Sequence, residues 1–160
     1  MSVRPNSPEA RDIASHLHPY TNARKHEEVG PLILTEGKGV YVYDNHGKEY
    51  IEALAALWYA SLGFSEERLV KAATKQMKML PCYHGFAHKS PGPVVDLAEK
   101  LLEIAPVPMS KAFFANSGSE ANDTNIKLIR RYWDLKERPD KRIIISRKNA
   151  YHGSTVAAAT

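Results

Sequence analysis

Cysteine is almost absent from this sequence: Cys82 stands alone among 160 residues. One thiol cannot close an internal disulfide, and no Cys/His cluster has zinc-ligand spacing, so no disulfide framework and no metal site is expected, and a reducing compartment, the cytoplasm by default, fits. Long apolar runs are missing too. The most apolar stretch, Ala53 to Gly63, is too short to span a bilayer as a helix. The start, Met1 to Arg11, contains Pro5, Pro8, Glu9 and Arg11 but no apolar core, which is the pattern of neither a signal peptide nor an anchor. No membrane partner is expected. Charge of one sign is scarce as well. The net charge is +4, and the basic residues are scattered rather than gathered on one face as nucleic-acid modules require, so no nucleic-acid partner is expected. The densest basic group, Lys127, Arg130, Arg131 and Lys136, falls late in a predicted helix, where cations complement the negative end of the dipole. Internal repeats and low-complexity tracts are absent.

What is present is an ordinary globular composition: 43% hydrophobic and 25% charged, with both signs mixed, in a length sufficient for one core. The first eight residues, rich in Pro and Ser, are expected to be loosely ordered, with structure beginning near Ile13. From Leu32 to Ile51, short β-prone runs alternate with turn residues, the pattern of a small antiparallel meander. Gly47 is expected to supply the positive φ of the Asp44–Gly47 turn. Ser65, Glu66 and Glu67 open one predicted helix, ended by Pro81, and Ser90-Pro91 opens a second, ended by Pro106 and Pro108. Both carry apolar faces at helical spacing.

The second half holds the chemistry. Lys111–Asn116 (KAFFAN) and Arg142–Ser146 (RIIIS) are short apolar runs without alternation, as strands covered on both faces should be, and Ser119 to Leu135 between them has helical spacing. Strand, helix, strand over this length predicts parallel strands joined by a right-handed crossover, hence an α/β fold with a parallel sheet. Ligands of such sheets bind where strand ends lead into helix starts. Asn116-Ser117-Gly118-Ser119-Glu120 is one such loop. Gly118 permits close approach of the backbone, the helix start offers unpaired N–H groups, and Ser119 adds a hydroxyl, which together suit a phosphate. A competing reading makes Ser117 and Glu120 a capping box that satisfies the helix end without a ligand. Lys148-Asn149-Ala150-Tyr151-His152-Gly153 is the second loop. Tyr151 can stack on a planar heteroaromatic ring and His152 can hydrogen-bond at its edge, or both can be ordinary loop residues, the imidazole bonded locally.

FFANSGSEANDTNIKLIRRYW followed by KNAYHGSTVA closely resembles the cofactor-binding segment of class III aminotransferases of the omega-transaminase type. His18-Pro19-Tyr20, Gly39-Val40-Tyr41, Ala56-Leu57-Trp58 and Leu80 to Phe86 also follow the family's order and approximate spacing, so the resemblance covers most of the chain. It implies the pyridoxal-phosphate (PLP) transferase fold type I, aspartate aminotransferase-like. Residues 1–12 are then a disordered N-terminus, 13–64 a segment of the small domain with its meander, and 65–160 the first strands and helices of the large PLP-binding domain. It further implies that Gly118 and Ser119 hold the PLP phosphate, that Tyr151 stacks on the pyridine ring and that His152 stands beside it. Trp58, Phe86 and Tyr20 would line the substrate pocket, one or both of the last two across a homodimer interface. Tyr59 follows the tryptophan where the family often has a small residue. The implied reaction moves an amino group from a primary amine or omega-amino acid to a keto acid such as pyruvate. The Schiff-base lysine would lie beyond Thr160, so no catalytic residue is assigned, and the chain by itself is expected to be inactive and aggregation-prone. The alternative is a non-catalytic chain that binds only an anion or a partner subunit.

Overall fold

The computed structural model describes residues 4–159. The chain divides after Cys82 into two compact units.

In the first unit, helix α1 spans Pro8–Ser15 and helix α2 spans Ala23–Val29. Ordered structure therefore begins at Pro8, earlier than the expected Ile13, for a local reason: the Ser7 side chain accepts from the Ala10 N–H and Pro8 fits the first helical position. Strands β1 (Leu34–Lys38), β2 (Tyr41–Asp44) and β3 (Glu49–Ile51) form the expected antiparallel meander in the order β1-β2-β3. The β2–β3 turn is built around the buried Asp44 carboxylate, which accepts from the His46 and Lys48 N–H groups at 2.9 Å and from the Tyr50 hydroxyl at 2.8 Å. Those bonds, the Lys48 amide first, hold its pKa below the ordinary carboxylate value. Gly47 adopts the anticipated φ of +79°.

One element was not foreseen. Ala55–Trp58 (α3) is a single turn in which four successive non-glycine residues have positive φ, 49°, 49°, 60° and 77°. The left-handed region costs an L-residue roughly 1–2 kcal/mol, so this turn is held against its own preference. Helix α4 (Glu67–Met79) follows, two residues later than Ser65, whose φ of 60° keeps it outside; Glu66 caps instead.

In the second unit, helix α5 spans Gly92–Ile104 and helix α6 spans Gly118–Leu135. No basic residue falls in the last turn of α6, and Lys136 stands at its cap. The KAFFAN and RIIIS runs flank α6, for Phe113 and Phe114 line a recess with Glu120 and Lys127, and Ile144 and Ile145 line another with Ile126 and Ile129. Neither run forms a strand, and the described residues contain no parallel ladder, only the meander. The two expected strands are thus unpaired among the described residues. A helix closes its hydrogen bonds within itself, whereas a strand needs a neighbour, and the crossover rule fixes handedness without making successive strands adjacent.

Apolar burial is correspondingly thin. Among the described residues only Val42 and Ala158 are buried hydrophobics, and Ile143, Ile145 and Phe113 are open to solvent. The accessible surface is 14063 Å² for 17.9 kDa.

Candidate functional site

The start of α6 carries both a cap and an anion cradle, on different N–H groups. Ser117 accepts from the Glu120 N–H at 3.1 Å, and Glu120 reaches back to the Asn116 N–H at 2.9 Å, one residue beyond the usual capping-box partner. The N–H groups of Gly118 and Ser119 have no acceptor among the described residues. A Cβ placed on Gly118 would meet nothing within 4 Å. Two free donors, the positive end of an 18-residue helix and open space beside the backbone make this helix start suited to a phosphate. The two readings of the motif are thus compatible.

Ser119 is only 8% exposed, and its Oγ accepts from the Ser154 N–H at 2.9 Å, which leaves its own hydroxyl hydrogen free to donate. That bond ties the second loop to the first. Two more follow along the same helix face: Asn122 Nδ2 donates to the His152 carbonyl at 2.6 Å, and Thr155 Oγ1 donates to Asp123 at 2.7 Å. The approach is close enough to require glycine at 153. Its φ is +144°, and a Cβ there would lie 2.7 Å from Ser119 Oγ and 2.6 Å from the Ala158 methyl.

The structure therefore brings Gly118, Ser119 and the Tyr151–Ser154 loop together. Tyr151 is 69% exposed, two residues before the clamped glycine. His152 turns inward on its own loop, its Nε2 accepting from the Arg147 N–H at 3.3 Å, so that one ring nitrogen is already engaged. Of the three expected pocket residues, Tyr20 and Trp58 lie in the first unit and Phe86 in the second, all with rings largely in solvent. Trp58 ends the left-handed turn, and Tyr20 also has a positive φ, of 51°.

Sequence reading missed Asn122, Asp123, Gly153, Ser154 and Thr155. The available signal was spacing: Ser119, Asn122 and Asp123 stand at i, i+3 and i+4, a polar stripe on one face in the first turns of a helix between apolar runs.

Comparison with known proteins gives one answer. The family model for Aminotransferase class-III matches residues 21–160. A putrescine–pyruvate aminotransferase of Pseudomonas aeruginosa is 44% identical over 91% of this chain and 32% of its own length. An omega transaminase of Pseudomonas jessenii, solved in complex with PMP, superposes with a TM-score of 0.91 at 59% identity, over 94% of this chain and 33% of its own. A thermostable omega transaminase variant, W58G, engineered for asymmetric synthesis of enantiopure bulky amines, gives 0.92 at 57% identity, over 95% and 34%. The chain thus spans about a third of the length of the relatives it matches. Sequence and backbone agree across nearly all of that third, and the chain belongs to the class III aminotransferases, a pyridoxal-phosphate-dependent family of the type I fold.

Proposed function

We propose that this chain forms the phosphate and ring side of the cofactor site in a transaminase that moves an amino group from a primary amine or omega-amino acid to a keto acid such as pyruvate. The observation that carries the reading is the start of α6: Gly118 and Ser119 N–H groups without an acceptor among the described residues, open space beside Gly118, and the Tyr151 loop clamped against the same turn. Gly118 and Ser119 would hold the PLP phosphate, Tyr151 would cover the pyridine ring, and His152, fixed by Arg147 and Asn122, would keep the loop in shape beside it. The cofactor, when bound, supplies an electron sink that weakens bonds at the substrate carbon bearing the amine. The residues of this chain supply binding and orientation. The lysine that links the cofactor and the acid that pairs with its ring nitrogen belong, in this reading, to the two thirds of the relatives that the chain does not span.

Trp58, Phe86 and Tyr20 are proposed to shape the amine pocket, in a homodimer. Their exposure as large aromatics supports this, because a solvent-facing Trp has little to gain from packing alone. The relative engineered for bulky amines is altered at a tryptophan numbered 58, the number Trp58 carries here. Assay of the intact protein for alanine formed from pyruvate and a panel of primary amines, with PLP present, tests the proposal. Alanine formation that depends on PLP is expected. PLP bound stoichiometrically with no alanine from any donor would overturn the transaminase reading and leave a cofactor-binding chain.

A further inference from the structure

Four side chains meet at the junction of α1 and α2, outside the cofactor site. The Asp12 carboxylate is contacted by His16 Nδ1 at 3.2 Å on one oxygen, and by His18 Nε2 at 2.8 Å and His26 Nε2 at 3.0 Å on the other. The rings of His16 and His18 lie 4.0 Å apart and those of His18 and His26 4.3 Å apart. Carboxylates commonly take one histidine. Three imidazoles around one carboxylate gather four groups able to ligate a metal ion in a small volume.

We propose that Asp12, His16 and His18 form a binding site for a divalent transition ion of the zinc class, with His26 orienting the Asp12 carboxylate. One ligand atom from each of the three residues lies within 4.8 Å of the other two. A tetrahedral ion with bonds of about 2.0–2.2 Å needs its ligands about 3.3–3.5 Å apart, so closure takes a movement of about 1 Å at side chains on a helix end and a loop. Asp12 and His16 stand at i, i+4 on α1, the spacing that sets two ligands on one helix face. Nitrogen and carboxylate donors together select zinc, cobalt or nickel over magnesium and calcium, which prefer all-oxygen shells. A recess of about 300 Å³, lined by His16, His18, His26, Thr21 and Glu27, lies beside the cluster and has room for water. His26 Nε2 lies against the Asp12 oxygen and is the outer partner that such ligands usually have. The rule that excludes zinc from this sequence counts Cys and His pairs alone. The site appears only when the carboxylate four residues before His16 is counted.

The test is a titration of tag-free intact protein with Co²⁺, followed by its visible absorption, then displacement by Zn²⁺. One equivalent of Co²⁺ giving a ligand-field band that Zn²⁺ removes is expected. His16→Gln should weaken binding at least about tenfold with an unchanged far-ultraviolet spectrum, because His16 is mostly in solvent. His88→Gln, remote in sequence from the cluster, should leave it unaltered. Asp12→Asn, which keeps the shape but removes the charge and one acceptor oxygen, should also weaken it. A band of equal strength in wild type and His16→Gln, or no band in wild type, would overturn the proposal. None of these readouts depends on transamination, so failure here leaves the cofactor reading untouched.

Discussion

Gly118→Ala separates a ligand role from a structural one. The helix start places Gly118 at the first helical position with nothing within 4 Å of an added methyl, and its φ lies outside the left-handed region. Alanine there strains nothing, and helix propensity favours it by up to about 1 kcal/mol. The same methyl, however, occupies the open space beside the two free N–H groups. If a phosphate uses that space, the variant loses at least one charge-assisted hydrogen bond, worth about 1.5–3 kcal/mol, or roughly 10- to 160-fold in Kd. PLP titration of wild type and variant, read by quenching of protein fluorescence, measures the loss, and circular dichroism checks the fold. Unchanged affinity for PLP in a well-folded Gly118→Ala protein would refute the cradle, because no other property of this glycine is needed by the structure.

Gly153→Ala should behave in the opposite way: the methyl strikes Ser119 and Ala158 and the φ of +144° is unfavourable, so about 2–4 kcal/mol of loop anchoring is lost, seen as faster hydrogen exchange at the Ser154 amide. Ala56→Gly should raise the melting temperature, since it relieves a residue held at φ 49° without removing a contact-making side chain. The Asp12 clasp depends on an ionised carboxylate whose folded pKa is depressed, so its contribution is complete above the unfolded value of 3.8 and is lost as pH falls through about 2; His18 and His26 chemical shifts should change together in that window. The 160-residue chain by itself, with Phe113, Ile143 and Ile145 open to solvent, should bind anilinonaphthalene sulfonate strongly and melt without a cooperative transition. A sharp calorimetric peak would contradict that.

Helices and meander were legible because their determinants are local. Ser90-Pro91, the Glu66-Glu67 pair and the Asp44–Gly47 turn each state where a hydrogen-bonding pattern starts or reverses. Helix α1 could have been read from Ser7-Pro8 by the same logic, but its few polar residues carry little apolar periodicity to draw attention. The KAFFAN and RIIIS runs are apolar in composition, yet composition does not say which backbone they pair with, and the described residues provide none. At the candidate site, the family motif located the two loops. The bonds that join them, from Ser119 to Ser154 and from Asn122 to His152, cross about thirty residues of sequence and follow no local rule. The turn at Ala55–Trp58 was the least legible element, because an Ala-Ala-Leu run is among the better right-handed helix formers and contains no glycine to announce the opposite hand.

That turn bears on how the proposed amine pocket could be altered. Trp58 has a φ of 77°, which glycine adopts freely and tryptophan does not. Shortening its side chain to a β-methyl keeps the backbone penalty, whereas removing the Cβ altogether discharges it. Glycine at 58 is therefore the replacement in which a wider pocket and a more relaxed backbone come together, and it is expected to cost less stability than Trp58→Ala. If the proposed pocket role holds, position 58 is a place where specificity can drift while the protein's thermal tolerance is spared, the reverse of the trade-off that usually limits change in a binding pocket.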